Sequence, residues 1–585
     1  MADRVATGED MLRWLRSTGI GPGGDVGLAI VSGAGLGAAV GDEGRRFQHV
    51  NPVEAVRNVS TALAPRWVWW DRATADCLAL AGVPITRCWD VLTVHRLLRG
   101  GWRASVPEAW AWLHDLPTDS LPVMGQLDLL GWGGDVGDSD DDPERPVRAD
   151  GHLRPEWTSG GWAAPAERAA WWARLAVAAA GKQRERLTAR AEPERALSTA
   201  RSESAAEFLC AELTAGGLPI DVPEAERIIA DAIGPRPRDS DDAARLQRER
   251  DALVLQHVGA GPTVDLRNPA DVRSMLRRVG IDVPNTRAGR LEQFRDVHPV
   301  VDALLTWRKA ERIATTYGYR WLDEHVVDGR LRGAWTSSDG AAGRMTASSG
   351  LHNLPADLRP AVAAEPGCVL MRADLGQIEP RVLAAVSGDA ALIAATRDDD
   401  LYQPVASRLQ VTREVAKVAV LAAMYGATTG TSAQALRGLE RAYPGAMAVL
   451  EQAAAAGRAG DDVYTIGGRR VRMWVDESVE GDFERARRVA AARGRFARNA
   501  LIQGAAAEFF KVWAVTVRAR TASLGAEIVL CLHDELLVQC PASAGGEVAA
   551  AAVRALAEAG TRWSPQPEVR FVADVSLVSR WSDAK

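Results

Sequence analysis

The chain is 585 residues long, 47% hydrophobic and 25% charged, with a formal net charge of −6. That balance is the one expected of a globular protein, and the length implies roughly three to four domains. The slightly acidic total argues weakly against a nucleic-acid partner, yet arginine-dense stretches leave room for a basic cleft in an acidic body.

No run of about 18 apolar residues occurs, and residues 1–6 lack the apolar centre of a signal peptide. A cytoplasmic, nucleoid-associated protein that meets no membrane is therefore expected. Cys77, Cys88, Cys210, Cys368, Cys531 and Cys540 show no CxxC spacing. They read as reduced core residues, not as disulfide partners or ligands of a structural metal.

In chain order, short apolar strands at 26–31 and 67–70 and a helix at 166–187 imply an α/β N-terminal domain up to about residue 190. The acidic run at 138–143, within a Gly-rich stretch from 133 to 161, and residues 234–242 read as solvated loops. From 191 to about 330 the pattern turns helical, at 205–213, 223–232, 243–256 and 300–326. Arg273, Arg277 and Arg278 recur there at helical spacing and suit phosphate-backbone contact.

Strands return after residue 331. An apolar strand at 368–371 leads to Asp374, and the chain then enters a helix from about Gln377. Thr412 can cap a helix on which Arg413, Lys417, Leu421 and Tyr425 recur every four residues and so share one stripe. Arg495, Asn499 and Gln503 form a second such stripe. Near the end, apolar strands at 528–532 and 536–538 hold Asp534 and Glu535 at the tip of a hairpin. Buried strands with carboxylates at their ends are the donor arrangement that a pair of hard divalent ions requires. Taken singly, Asp374 also reads as a helix N-terminal acid and Asp534 as a turn residue.

The segment from Asp374 to Ala384 resembles motif A of the family A DNA polymerases, that from Arg413 to Gly426 motif B, and His533-Asp534-Glu535 motif C, in the family's order. The resemblance covers residues 191–585. It implies a right-hand polymerase with a helical thumb at 191–330, a palm at 331–394 and 491–585, and fingers at 395–490. It also implies DNA-templated addition of deoxynucleotides to a primer 3′ end, in repair or gap filling. Primed DNA and deoxynucleoside triphosphates would be the partners of a monomer.

Asp374 and Asp534 would bridge a pair of Mg2+ ions, for which Mn2+ can substitute, with the Leu375 backbone carbonyl assisting. Glu535 would stand near them without being an obligatory ligand. Lys417 and Arg413 would hold the β- and γ-phosphates, Leu421 and Tyr425 would lie beside sugar and base, and Gln377 would complete the nucleotide site. Glu379 occupies the place where a carboxylate crowds a ribose 2′-hydroxyl. The chain departs from the pattern at Leu421, where an aromatic residue is usual, and at its neighbours Val420 and Ala422. Gly376 stands where Ser is common. Tyr402 replaces a phosphate-binding His and keeps a donor without the charge.

Residues 343–355 resemble the family's duplex-reading segment, one residue shorter. Arg344 and Asn353 would contact DNA there, Arg344 through the acceptors that all base pairs share in the minor groove. Arg495, Asn499, Gln503 and His533 match positions near the primer end.

In the N-terminal domain, Trp67 to Arg72 and Trp89 to Arg96 resemble part of a 3′–5′ exonuclease domain of ribonuclease H-like fold. Asp71 and Asp90 are the only carboxylates that match it, since the first strand has no DxE and residues 170–175 lack the expected Tyr and Asp. The domain is expected to be an inactive remnant, and no 5′-nuclease domain is expected. The alternatives are a polymerase with a working exonuclease and a non-catalytic primer-template binding protein.

Overall fold

The computed structural model describes residues 8–48, 50–123, 142, 144–164, 167–259, 261, 263–426, 432–474 and 483–584. Most of the acidic run at 138–143 lies outside them. The chain divides into two compact units, Met1–Gly216 with Ala334–Thr346 and Gly367–Leu577, and Gly217–Gly333 with Ala347–Pro366 and Val578–Lys585.

The N-terminal part of the first unit is built on strands β1 (Asp25–Val31), β2 (Gly35–Val40), β3 (Glu43–Gln48), β4 (Arg66–Trp69) and β5 (Cys88–Asp90). They lie in the order β3-β2-β1-β4-β5. The hairpin pairs β1–β2 and β2–β3 are antiparallel, while β1–β4 and β4–β5 are parallel. Alternation along β1 sends Val26 and Leu28 into one core and Ala29 and Val31 into another. Helix α1 (Arg72–Leu80) follows β4, and helix α2 (Glu167–Thr188) crosses β1 and β2. The crossing is close: a Cβ on Gly27 would lie 2.3 Å from the Ala173 carbonyl oxygen, and one on Gly37 2.2 Å from the Ala169 carbonyl. Only glycine lets the backbones approach so nearly.

Helix α3 (Pro193–Gly216), most of the first part of the segment read from sequence as the thumb, lies in the first unit. Most of it is buried, polar residues included, because its buried charges Glu203 and Glu207 have partners. Glu203 is 1% exposed and accepts from Lys511 at 2.7 Å and pairs with Arg469 at 2.7 Å. Glu207 pairs with Arg72 and Arg96 and accepts from the Ser337 hydroxyl. Buried carboxylates persist only when paired in this way.

The second sheet of this unit contains β6 (Cys368–Leu375), β7 (Glu527–Leu532), β8 (Glu535–Pro541) and β9 (Ala573–Val578), in the order β7-β8-β6-β9. Around it stand α4 (Ile378–Ser387), α5 (Tyr402–Leu409), α6 (Arg413–Tyr425), α7 (Pro444–Ala459), α8 (Phe483–Thr521) and α9 (Gly545–Trp563). By length and composition alone α8 could cross a membrane, but 89% of its apolar window is buried against other helices, so it packs as the core helix of this unit. It runs unbroken through the expected fingers–palm boundary at 490.

The second unit is mainly helical, with Val254, Met275, Leu276, Val300 and Leu304 in its core. The single helix expected at 300–326 is two, Pro299–Thr316 and Tyr319–His325. The break lies at Tyr317, whose hydroxyl donates to the Asn353 carbonyl at 2.7 Å. In the stretch read as a loop up to residue 161, residues 155–158 form one helical turn. All six cysteines are free; Cys88, Cys210, Cys531 and Cys540 are buried, whereas Cys77 and Cys368 are half-buried.

Candidate active site

Strands β6 and β8 are antiparallel neighbours, and their register sets Asp374 opposite Glu535. Leu532 pairs with Glu535 across the hairpin, leaving His533 and Asp534 as its two-residue tip, with His533 at φ +20°. The Leu375 amide donates to the Asp534 carbonyl at 2.8 Å, which ties the hairpin tip to the end of β6. The two aspartates therefore meet at the strand-end edge of the sheet, where β6 ends and the β7–β8 hairpin turns.

Their electrostatics follow from that meeting. Burial, with the charges of Asp374 and Glu535 behind it, pushes the Asp534 carboxyl up to about 6. Burial also raises Asp374, against the opposing pull of Arg372. Among the described residues Asp534 forms no salt bridge, so its charge is met mainly by like charges. A carboxylate in that position suits a cation.

A cleft of about 320 Å³ opens beside this edge, lined by Arg344, Gln377, Glu379, Tyr402, Leu421, Tyr425, His533 and Asp534, with Ile378, Pro380, Ala506 and Ala507 completing it. Its polar side chains are braced by one another. Arg344 Nη2 donates to Glu379 Oε1 at 3.0 Å, and the Tyr425 hydroxyl donates to Glu379 Oε2 at 2.8 Å. Gln377 is held in the left-handed region (φ 48°) while its side-chain oxygen accepts from the Leu401 amide at 3.1 Å. Burial raises the Tyr402 and Tyr425 hydroxyls to about 12, so both remain donors at neutral pH.

Helix α6 begins at Arg413 as expected, with Thr412 Oγ1 accepting from the Val415 amide. Lys417 is exposed and unpaired among the described residues, whereas Arg413 is engaged by Asp400 and sits 5.8 Å over the Tyr402 ring. Arg495, Asn499 and Gln503 lie on α8, and a Cβ on Gly426, the residue ending α6, would touch Arg495 at 3.0 Å. Asn353 lies in the second unit. Arg273, Arg277 and Arg278 are exposed on a helix of that unit, where Arg277 pairs with Asp282 and Arg273 donates to the Pro284 carbonyl.

Two arginines were not recognised from sequence. Arg372 pairs with Asp374, with Glu535 at 2.9 Å and with Asp574 at 3.1 Å. Arg381 is 0% exposed and donates to the carbonyls of Gly376, Thr396, Asp398, Asp399 and Arg570. It ties the turn after β6 to the loop before α5. Its only sequence signal is a lone cation ahead of the apolar run Val382 to Val386.

The sequence pattern of DNA polymerase family A matches residues 266–583, more than half of the chain. The chain belongs to that family. Among similar family members, DNA polymerase I of Chloroflexus aurantiacus is 34% identical over 283 residues, 43% of this chain and 29% of that protein. The thermostable DNA polymerase I of Thermus caldophilus is 31% identical over 334 residues, 52% of this chain and 38% of that protein. DNA polymerase theta of Caenorhabditis elegans is 30% identical over 43% of this chain and 16% of its own length. The matches thus span well under half of these relatives.

The fold extends further than the sequence match. The polymerase domain of Pol1 from M. smegmatis, solved with DNA primer-template and dNTP, superposes with a TM-score of 0.69 at 21% identity, covering 98% of both chains. The likeness in fold therefore takes in the N-terminal sheet as well as the polymerase motifs.

Among the described residues no cluster of three or more His, Cys, Asp or Glu side chains is arranged to hold a metal. The third acid at this edge, Glu535, is taken by Arg372. The carboxylate oxygens of Asp374 and Asp534 are nevertheless hard donors of the kind Mg2+ takes. The unpaired, like-charged state of Asp534 is the observation that makes the set fit.

Proposed function

We propose that the chain is a DNA-templated DNA polymerase that extends a primer 3′ end with deoxynucleotides. The reading rests on one observation: the cleft that unites Glu379, Tyr402, Leu421, Tyr425 and Asp534 opens beside the edge where Asp374 stands opposite Glu535. Relatives in the family are DNA polymerases by name, which supports the same reading.

In this reading Asp374, Asp534 and the Leu375 carbonyl hold Mg2+. A bound divalent cation supplies charge stabilisation for the primer oxygen and the leaving pyrophosphate. The chain's own residues do the rest. Lys417 and the Tyr402 hydroxyl meet the triphosphate, and Arg413 joins them by exchanging Asp400 for phosphate. Glu379, fixed by Arg344 and Tyr425, fills the space that a ribose 2′-hydroxyl needs. Leu421 and Tyr425 present apolar surface to sugar and base. Arg344, Asn353, Arg495, Asn499, Gln503 and His533 contact primer and template.

The finer architecture belongs to the same proposal. Sheet β7-β8-β6-β9 is the palm, α5 to α7 belong to the fingers, and the helical second unit holds the thumb. The order β3-β2-β1-β4-β5, with its antiparallel first three strands, supports a ribonuclease H-like N-terminal domain. That domain is read as inactive, because the face of β1 that carries Gly27 and Ala29 is sealed by α2 and leaves no space for a carboxylate.

Primer extension with Mg2+ and the four dNTPs tests the proposal. The chain should extend a primed template, and Asp534→Asn should reduce the rate by about 10³-fold or more, on the scale of losing a principal stabiliser of transition-state charge. Full-rate extension by Asp534→Asn would end it.

A further inference from the structure

On β6 the residues facing the open side alternate with buried ones, so Arg372 and Asp374 project from the same face. Glu535 stands opposite Asp374 on β8, and Asp574 lies on neighbouring β9. The Arg372 side chain is 13% exposed, and its guanidinium spans all three carboxylates. A cation is thus already built into the acidic edge at which a divalent ion is proposed to bind. Of the two proposed carboxylate ligands, one is held by this arginine and the other, Asp534, is not.

Arg372 and a divalent ion cannot both draw fully on Asp374. The arginine offers a planar fork that suits paired carboxylate oxygens, whereas the ion needs Asp374 oxygen in its own shell. The guanidinium also repels a doubly charged ion a few ångströms away. It stabilises the acidic edge before the ion arrives and makes the edge less attractive to it.

We propose that Arg372 is a resident counter-ion of the catalytic edge, which a divalent cation must displace from Asp374, so that this residue sets the ion concentration the site requires. The inference rests on the reading of Asp374 and Asp534 as the ion site. Arg372 is a positioning residue in this role, since it acts through Asp374 and touches no substrate.

The test is Mn2+ binding to the metal-stripped full chain, with free Mn2+ read by electron paramagnetic resonance and no DNA or nucleotide present. Arg372→Gln should bind Mn2+ about tenfold more tightly, the expected effect of removing a unit charge near a divalent ion in a largely aqueous dielectric. Loss of a purely structural arginine would not raise affinity, so a gain separates the two roles. Unchanged or weaker binding by Arg372→Gln, beside binding lost in Asp534→Asn, overturns the counter-ion role alone. Undiminished binding by Asp534→Asn overturns the ion-site reading and this inference with it. If Arg372→Gln does not fold, Arg372→Lys decides, because lysine keeps the charge but cannot span three carboxylates. It should bind Mn2+ about two- to threefold more tightly through the loosened hold on Asp374, and unchanged binding overturns the proposal.

Discussion

The Tyr425 hydroxyl donates to Glu379 Oε2 at 2.8 Å while Arg344 holds the other carboxylate oxygen at 3.0 Å, so the Glu379 side chain is fixed from both ends. A gate made of one side chain excludes a hydroxyl only if it cannot swing aside. Glu379→Ala should therefore lower the dNTP over rNTP preference in kcat/KM by at least about tenfold, the scale on which steric fit discriminates. Tyr425→Phe, which removes one brace and leaves the carboxylate, should lower it less. Single-nucleotide incorporation with dATP and ATP reads both. Equal preference in Glu379→Ala and the parent would remove Glu379 from this role.

Arg381 is the second brace of the cleft. Its guanidinium satisfies five backbone carbonyls and also donates to Gln377 Oε1 at 3.3 Å, the same oxygen that accepts from the Leu401 amide. Arg381→Leu orphans those carbonyls inside the protein, so urea unfolding should show a loss of about 3 kcal/mol or more. Because the turn that aims Gln377 and the loop leading to Tyr402 are tied through this residue, KM for dNTP should rise in the folded fraction as well. A variant as stable as the parent would show that water replaces the guanidinium there.

What the sequence disclosed was local in character. Asp374 and Asp534 were legible because a carboxylate ending an apolar strand stands out. The α6 stripe was legible because a four-residue repeat with a Thr cap has one helical solution, and it forms from Arg413 as expected. Arg372 and Arg381 were not legible as site residues, since a lone cation in an apolar run reads as surface until a neighbouring strand or loop supplies its partners. The pairing of Arg372 with Glu535 spans 163 positions and arises only from the β6–β8 register. That α3 packs with the first unit was not legible for a related reason. Its buried Glu203 and Glu207 gave it no amphipathic face, and their partners Lys511, Arg469 and Ser337 are remote in sequence.

Asp71 and Asp90 are both occupied as helix caps. Asp71 Oδ1 accepts from the Ala73 amide at 3.0 Å, and Asp90 accepts from the Thr93 amide at 2.8 Å and the Trp69 indole at 2.9 Å. The chain should accordingly leave a mismatched primer 3′ end intact when Mg2+ is present and dNTPs are withheld. Asp71→Ala should cost about 1 kcal/mol of stability, the usual worth of an N-cap, with primer extension unaltered. Primer shortening by the parent that disappears in Asp71→Ala would restore the exonuclease reading.

His95 supplies a pH test of the N-terminal core. Its ring is 1% exposed, lies 5.3 Å from the Trp112 ring, and has neither nitrogen hydrogen-bonded among the described residues. Burial, reinforced by the charges of Arg99 and Arg96, lowers its pKa to about 3 from an ordinary 6.5. A depressed histidine is neutral in the fold and charged in the unfolded chain. Its contribution is therefore whole above about pH 6.5 and drains away as the pH falls towards 3. Between pH 8 and 5 the loss should reach about 2 kcal/mol, approaching 1.36 kcal/mol per unit below pH 6.5. His95→Leu removes the titrating group and the two unmet nitrogens while keeping an apolar side chain of similar size. Urea midpoints measured from pH 8 to pH 5 should show the variant gaining on the parent as acid is added. Parallel pH profiles would mean that the ring reaches solvent or a partner in the folded protein.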